Sequence, residues 1–565
     1  MNSLAALKIQ TINHLGLIAG LVDEIGIEKI INDLLGVETR EIISAGQVVK
    51  GIILNGLGFV SRPLYLFPQF FEDKATEHLL GEGIEPKHLN DDKIGRVMDK
   101  LYRKGLSDIF LVIALAAIEK YGISTEFSHL DATSSEFSHL DATSLSLHGQ
   151  YEGQLASESD SGLADRKETE EITHQPKPIK ITHGYSRDRR PDLKQFVIDL
   201  IVSGDGDIPL FLRVADGNET DKGAFGQIVK DYKAQVDFST LIVSDSALYS
   251  KKNLLLMKGI EWLCRVPLSI KEAKTLVSSL SNDELEASPN PGYSYCEVKS
   301  QYGGVEQRWL VVESQVRKAS DLEKLEKKIK EEASKILKKF WKLVQKEFSS
   351  YEEAVVQVKL LSKTLNYHQI RELKVTEFPS RLESKSSQNQ SQSSSSFYKI
   401  TGSVQRNDNK IESDKRRAGR FVLATNRMKV QEFTASDILQ KYKDQQAPER
   451  SFAFLKDPLF FADSVFLKSP ERIETMAMLM GLCLLVYAIG QRQLRQNLSS
   501  AQVGLKNQLG QLTDHPTLKW IFQGFQGIHI VFLAGLKQIV NLTDERQFTL
   551  SFFPQSSQNY YVLSG

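Results

Sequence analysis

Two aspartates stand where predicted strands run or end, and their carboxylates are the first candidates for chemistry. Asp141 lies within the alternating run FSHLDATSLSLHG, and Asp245 directly follows the largely apolar run LIVS. A carboxylate that emerges from a buried strand is costly unless it is paired, hydrogen-bonded or bound to a metal ion. Either aspartate alone is typical of a cap or a turn, but two of them on strands of one sheet indicate a metal site.

Carboxylates in such a pair favour Mg²⁺, which takes oxygen ligands and keeps coordination positions open for water and phosphate. Two such ions can activate water and stabilise the leaving oxygen of a phosphodiester. We therefore expect two Mg²⁺ ions, with Mn²⁺ as a substitute. The histidines His129, His139 and His148 show no metal-ligand spacing, so we do not expect them to bind metal.

The chain lacks the sequence motifs of several other enzyme classes. The sequence contains no Walker A motif, no glycine-rich dinucleotide fingerprint, no HExxH and no GxSxG. The net charge is zero, which argues against a simple polybasic binder but allows charges to be segregated on the surface. Three distant cysteines, Cys264, Cys296 and Cys483, suggest neither a zinc site nor a disulfide framework and fit a reducing cytosol.

The spacing of apolar residues predicts a mixed α/β fold in four segments. Residues 1–120 read as a helical domain, with Ser44, either Asn90 or Asp91, and Ser107 as candidate N-caps. Residues 121–268 read as strands followed by alternating strands and helices, including a hairpin around GDGD. Residues 269–435 read as a β-containing insertion that splits this core and carries a low-complexity linker at 384–396, and residues 436–565 read as mainly helical.

Two predicted helices have compositions that indicate their surroundings, one rich in charged residues and one without charges. The charged run DLEKLEKKIKEEASKILKKFWKLVQKEF predicts an exposed helix with a solvated face of alternating sign, which we favour over a DNA-contacting helix. The uncharged run at 475–490 is shorter than a membrane span and is bounded by charges, so it predicts a buried core helix that follows Pro470. We expect no membrane association.

Several motifs together resemble those of DDE insertion-sequence transposases. They are HLDATS…SLHG, HGYSRDRRPDLKQ, VSDSALYS and RSFAFLKDP. Within that group the chain resembles the insertion sequence four superfamily, whose RNase H-like core carries a β-rich insertion before its last catalytic helix. The superfamily signature is Tyr, two residues, Arg, three residues, Glu, six residues, Lys. This chain has Tyr442, Gln445, Glu449 and Lys456 at that spacing, with glutamine in place of arginine.

The resemblance implies a role for each matching residue. Asp141, Asp245 and Glu449 would form the metal-binding triad, and Tyr442 and Lys456 would contact DNA phosphates. Gln445 would donate a hydrogen bond without the charged bidentate fork of arginine. Since Pro448 favours a helix start, we expect Glu449 in the first turn of a helix and Tyr442 just before it.

The segment HGYSRDRRPD adds a second predicted DNA contact. Arg187 and Arg190 in this stretch would hold the DNA backbone beside the active site. The alternative interpretation is a solvated loop with internal Arg–Asp pairs.

The first catalytic aspartate has a duplicate. The residues EFSHLDATS occur at 126–134 and again at 136–144, so Asp131 and Asp141 share the same five preceding residues. The even offset keeps both on the same face if the strand is unbroken. Only Asp141 is followed by LSLHGQY, the continuation typical of the family, so we favour Asp141 as the metal ligand.

The predicted function is therefore that of a DNA transposase. It would cut at terminal inverted repeats and join the freed 3′-hydroxyl ends to target DNA, acting as a homodimer in the cytoplasm of a bacterial or archaeal cell. The N-terminal helices would recognise the repeats or assist dimerisation, by analogy alone. Two alternatives are a catalytically inactive DNA-binding protein derived from such an element, and an RNase H-like nuclease without strand transfer.

Overall fold

A computed structural model describes most of the 565-residue chain. The described residues are 8–59, 62–63, 66–123, 137–147, 176–185, 190–235, 240–379, 396–444, 446–457, 467, 469–533 and 536–562. The chain divides into two compact units. Unit 1 comprises Met1–Cys264, Tyr302–Val305 and Gln440–Gly565, and unit 2 comprises Arg265–Gln301 and Glu306–Leu439. Unit 2 covers most of the segment predicted to be an insertion, and the four domain boundaries given above stay predictions.

The N-terminal part of unit 1 is helical apart from one short strand that the periodicity does not predict. Its elements are β1 (Lys8–Thr11), α1 (Leu15–Ile25), α2 (Ile27–Leu35), α3 (Ala45–Leu57), α4 (Phe67–Phe71), α5 (Thr76–Leu80), α6 (Asp91–Lys104) and α7 (Leu106–Tyr121). Ser44 caps α3 in a capping box with Gln47, and Asn90 caps α6. Ser107 is not a cap, because α7 already begins at Leu106 and the Ser107 hydroxyl donates to the Leu212 carbonyl at 3.1 Å.

The core sheet of unit 1 alternates with helices in its second half. Its elements are β2 (Phe137–Leu147), β3 (Lys194–Ser203), β4 (Pro209–Ala215), α8 (Asp221–Gln235), β5 (Leu241–Ser244), α9 (Lys251–Leu256) and β6 (Trp262–Val266). The strand order is β4-β3-β2-β5-β6. The β2–β3 and β3–β4 pairs are antiparallel, whereas β2–β5 and β5–β6 are parallel. Three antiparallel strands followed by two parallel ones are the arrangement of an RNase H-like core, so the predicted fold class is confirmed.

Unit 2 contains a second group of strands and the longest charged helix. Its elements are α10 (Lys271–Ser279), β7 (Glu286–Ala287), β8 (Tyr293–Tyr302), β9 (Val305–Ser314), α11 (Gln315–Gln345), α12 (Tyr351–Lys363), β10 (His368–Pro379), β11 (Ser396–Arg406), α13 (Asp408–Arg417), β12 (Arg420–Thr425) and α14 (Ala435–Lys443). The strand order is β12-β9-β8-β7, and β10 and β11 pair separately. The predicted linker lies outside the described residues except Ser396, which begins β11.

The C-terminal part of unit 1 is less purely helical than the sequence predicts. Its elements are α15 (Gln446–Leu455), α16 (Pro470–Ala501), β13 (Leu505–Lys506), β14 (Leu512–Thr513), α17 (Leu518–Gly524), β15 (His529–Leu533), β16 (Leu536–Val540), α18 (Asp544–Leu550) and α19 (Gln555–Asn559). Among the described helices, α16 alone is long and apolar enough to cross a membrane. However, 94% of its most apolar stretch is buried inside the protein, as expected of a core helix.

The two ends of the chain meet in unit 1. β1 pairs antiparallel with β15, and α1 packs against α19. Near the C-terminus, the Tyr560 hydroxyl donates to Asp23 at 2.5 Å and accepts from the buried Lys50 ammonium at 2.9 Å. The Lys50 ammonium also forms an ion pair with Asp23 at 2.5 Å. The buried charge of Lys50 is therefore bound by Asp23 from the N-terminal part of the chain and by Tyr560 from the C-terminal part. The N-terminal helices are therefore completed by the last residues of the chain.

Gly20 decides how closely these ends approach. A Cβ atom at this position of α1 would lie 2.2 Å from the Ser557 Cα and 2.3 Å from the Ser557 nitrogen. Replacing a glycine inside a helix by alanine ordinarily stabilises the folded protein by about 1 kcal/mol. At Gly20 the clash is with backbone, and overpacking costs about 1–3 kcal/mol or more. We expect Gly20→Ala to lower the free energy of unfolding, measured by urea denaturation followed by circular dichroism.

Gly524→Ala is the matched control. Gly524 ends α17, and a Cβ atom there meets nothing within 4 Å. This substitution should leave the free energy of unfolding unchanged or slightly higher. A Gly20→Ala protein as stable as the wild type would contradict the close packing of α1 on α19.

Candidate active site

Asp141 and Asp245 lie side by side at the centre of the core sheet. The parallel register of β2 and β5 pairs His139 with Val243 and Leu140 with Ser244. Continued by one residue, this register places Asp141 opposite Asp245. Neighbouring strands are about 4.8 Å apart, and residues opposite each other share a face of the sheet. The sequence predicts that both aspartates belong to one sheet, and the topology makes them neighbours.

Local hydrogen bonds orient both carboxylates. An Asp141 Oδ1 accepts from the Ala142 amide at 2.8 Å, and an Asp245 Oδ1 accepts from the Ala247 amide at 2.7 Å. Both side chains are half-buried. Burial, together with the Asp245 charge, raises the pKa of the Cys264 thiol on β6. The Asp245 carboxylate therefore acts electrostatically on the next parallel strand.

Glu449 is carried by α15, which packs on β2, β3 and α16. It lies in the first turn of that helix, and its side chain is exposed. The adjacent Arg450 forms a bidentate ion pair with Asp207 in the β3–β4 turn, at 2.7 and 2.8 Å. This pair ties the start of α15, next to Glu449, to the turn of a core hairpin.

The signature residues fall on two helices. Tyr442 lies in α14, and α15 begins four residues later at Gln446. Lys456 directly follows α15, with its amide bonded to the Phe452 carbonyl at 3.1 Å. Glu449 and Lys456 are therefore two turns apart on one face, whereas the spacing of Tyr442 from Glu449 does not place them on one helix. Gln445 lies outside the described residues.

The arginine-rich turn is described only in part. Arg187 lies outside the described residues. Arg190 is exposed, and its guanidinium donates to the Asp192 carboxylate at 3.0 and 2.8 Å. This contact is an internal Arg–Asp pair of the kind that the alternative interpretation predicts. Of the duplicated aspartates, Asp131 also lies outside the described residues.

The donor chemistry of the site fits Mg²⁺ without a closed ligand set. Asp141 and Asp245 offer oxygen ligands on neighbouring strands, as this ion requires. Within the described part of the chain, no three His, Cys, Asp or Glu side chains come together closely enough to hold a metal ion. The sheet therefore brings Asp141 and Asp245 onto neighbouring strands, and Glu449 lies on a helix that packs against one of these strands without joining them in a closed ligand set.

Comparison with protein-family models identifies the domain that contains this sheet. The transposase DDE domain matches residues 135–486, more than half of the 565-residue chain. The chain belongs to this transposase family. Its N-terminal residues 7–115 match a domain of unknown function, DUF4277. Among curated proteins, none matches the transposase.

A solved structure shows a distant likeness. It is the cryo-EM structure of the piggyBac transposase synaptic complex with hairpin DNA, at 9% sequence identity. The match covers 99% of this chain and 85% of that chain, with a TM-score of 0.36. A likeness this weak carries no further conclusion about the transposase.

One buried carboxyl group of the transposase is not among the functional residues that the sequence predicts. Glu474 on α16 is only 9% exposed and lines a cavity of about 210 Å³ with Tyr102 and Ser107. One of its oxygens accepts from the Ile179 amide at 2.6 Å. Burial is the main cause that raises the pKa of Glu474 to about 7, and the nearby Glu471 and Asp216 charges act in the same direction. The available signal was its position, three and four residues before the buried Ala477 and Met478.

Glu474 makes the stability of the transposase depend on pH. The pKa of this carboxyl is about 7 in the folded protein and near 4.5 in the unfolded chain, so folding favours the protonated form. Stability is therefore lost as the pH rises from about 4.5 to 7. Glu474→Gln removes this loss and keeps an oxygen for the Ile179 amide. The gain in free energy of unfolding over wild type should be larger at pH 8 than at pH 5, by about 2 kcal/mol.

The comparison is made by urea denaturation at both pH values. Glu82→Gln is the control, because Glu82 is exposed in the turn after α5 and should give no such difference. A pH-independent effect of Glu474→Gln would show that the Glu474 carboxyl is ionised in the folded protein throughout this range.

Proposed function

We propose that this transposase cuts DNA at the terminal inverted repeats of its element and joins the 3′-hydroxyl ends to target DNA. The observation that carries the proposal is the β2–β5 register, which sets Asp141 beside Asp245. Glu449, on a helix packed against β2, supplies the third carboxylate. These three residues are the proposed catalytic triad, with two Mg²⁺ ions, or Mn²⁺, as their cofactor.

Each proposed residue has a distinct task. Bound Mg²⁺ would supply an activated water and neutralise charge on the leaving oxygen. Asp141 and Asp245 would bind the metal ions, and the hydrogen bonds from the Ala142 and Ala247 amides would fix the orientation of the two carboxylates. Lys456, two turns after Glu449, serves as a point charge for a DNA phosphate, and Tyr442 donates a hydroxyl. Gln445, Arg187 and Arg190 are proposed as further contacts to the DNA backbone.

The N-terminal helices and the oligomeric state belong to the same proposal. The region matched by DUF4277 covers β1 to the middle of α7, and we assign it recognition of the terminal repeats or dimer formation. A homodimer is proposed for the synaptic complex, because two transposon ends must be held and cut together.

A strand-transfer assay tests the catalytic assignment. The assay uses purified full-length protein, labelled ends cut from the DNA that flanks the gene, and Mg²⁺. Asp245→Asn should reduce the amount of joined product by more than about 100-fold. Mutations of residues that only support a metal ligand already reduce activity by about 10- to 100-fold, and Asp245 is a proposed ligand itself. Asp283→Asn, at an exposed residue of unit 2 outside the core sheet, is the control and should retain wild-type activity.

The products of the wild-type protein separate the alternatives. Joined product supports the transposase proposal. Nicking without joining would instead support an RNase H-like nuclease, and a DNA mobility shift without any cleavage would support an inactive DNA-binding derivative.

The duplicated segment gives a separate test of the first carboxylate. The family match begins at residue 135, so it contains Asp141 and leaves out Asp131. Asp141→Ala should abolish cleavage, whereas Asp131→Ala should leave it intact, measured as nicked end DNA over time. Deletion of residues 126–135 should preserve or improve activity because the second copy alone supplies the strand. Loss of cleavage in Asp131→Ala with activity in Asp141→Ala would reverse the assignment.

A further inference from the structure

The charged helix α11 in unit 2 does not carry alternating charge along its whole length. Acidic residues alternate with lysines up to Glu332, but residues 333–346 contain lysines and no acid. All five lysines of that half are exposed: Lys335, Lys338, Lys339, Lys342 and Lys346. The solvated face of alternating sign that the sequence predicts is therefore confined to the first half of the helix.

Lysines from both halves fall on one stripe of α11. At 100° per residue, Lys324, Lys328, Lys335, Lys339 and Lys342 lie within an arc of about 60°. The rise from Lys324 to Lys342 is about 27 Å. We call these five residues the lysine stripe. Three acids lie close to the stripe: Asp321 falls within the arc one turn before Lys324, and Glu331 and Glu332 lie about 20° outside its two edges, between Lys328 and Lys335.

None of the five has an ion-pair partner among the residues that the structure describes. The neighbouring charges are used elsewhere: Glu332 accepts from the Tyr367 and His368 amides, and Lys346 pairs with Glu353. A row of like charges with no partner repels itself, since each lysine stands three, four or seven residues from the next. That cost is removed when a polyanion binds along the row.

The helix that bears the stripe is held rigidly along its length. Leu325 and Ile329 pack with Ile411 of α13, and Ile336 and Phe340 pack with residues of α12 and β11. The stripe is therefore presented as a straight row, without the loss of backbone freedom that a mobile basic tail would suffer on binding.

We propose that the lysine stripe of α11 binds the phosphate backbone of duplex DNA, as a second DNA surface distinct from the catalytic sheet. This inference rests on the proposed function. A length of 27 Å equals about eight base pairs along the duplex axis, at about 3.4 Å per phosphate of one strand, so the straight stripe can cross the winding backbone and reach phosphates at more than one point. Lysine ammonium groups meet phosphates as point charges, and such contacts position DNA without reading its sequence.

The salt dependence of binding tests the stripe directly. The probe is a fluorescently labelled random-sequence duplex of 40 base pairs, titrated without divalent ions so that no cleavage occurs. Lys339→Gln/Lys342→Gln should weaken binding and lower the slope of log affinity against log salt by about 1.8, which is two contacts at about 0.9 each. The loss should be equal for duplexes of different sequence, because phosphates carry no sequence information.

Lys327→Gln/Lys330→Gln is the matched control. It removes the same charge from the same helix, at positions about 80° and 140° around the axis from the stripe. This pair should leave the slope at its wild-type value. An unchanged slope in the stripe variant, or an equal decrease in both variants, would overturn the stripe while leaving the transposase proposal intact. A wild-type protein that binds no duplex at all would overturn both.

Discussion

Unit 1 depends on the burial of one helix, α16. This helix packs against α1, α3, α6 and α7, against core strand β4, and against α15. Each fully buried leucine or isoleucine contributes roughly 1.5–3 kcal/mol to stability, so a helix buried on nearly every side is a large part of the folding energy. Close approach is possible because glycines face two of these neighbours. A Cβ atom at Gly481 would lie 2.4 Å from the Leu212 Cδ1, and one at Gly490 would lie 2.6 Å from the Leu21 Cδ1.

This burial also positions the proposed chemistry. The helix α15, which carries Glu449, packs against α16 and against the strands β2 and β3. The two aspartates, in contrast, are placed by backbone pairing alone and are held by amide hydrogen bonds at the centre of the sheet. In the proposed metal site, the sheet would supply two carboxylate ligands and the packed helix α15 would supply the third.

Charge is distributed differently in the two units. The chain as a whole is neutral, and in unit 1 the buried Lys50 is compensated by Asp23 and Tyr560. Glu474 is the exception, since it lacks a cationic partner among the contacts that shift its pKa. In unit 2 every charged residue in the second half of α11 is a lysine, and all of these lysines are exposed. Zero net charge is therefore compatible with a protein that presents a strongly positive row to a polyanion, because segregation decides the local field.

The sequence by itself determined the features that neighbouring residues encode. The apolar run at 475–490 predicts the core helix, the GDGD turn predicts the β3–β4 hairpin, and Pro448 predicts that Glu449 lies in the first turn of a helix. Family motifs also named Asp141, Asp245 and Glu449, although their catalytic role stays a prediction. Only the tertiary structure decided that β1 pairs with β15, that Gly20 meets Ser557, and that Glu474 is buried. The reason is physical: periodicity reports which face of an element is apolar, whereas the partner of that face is chosen by packing between segments up to hundreds of residues apart.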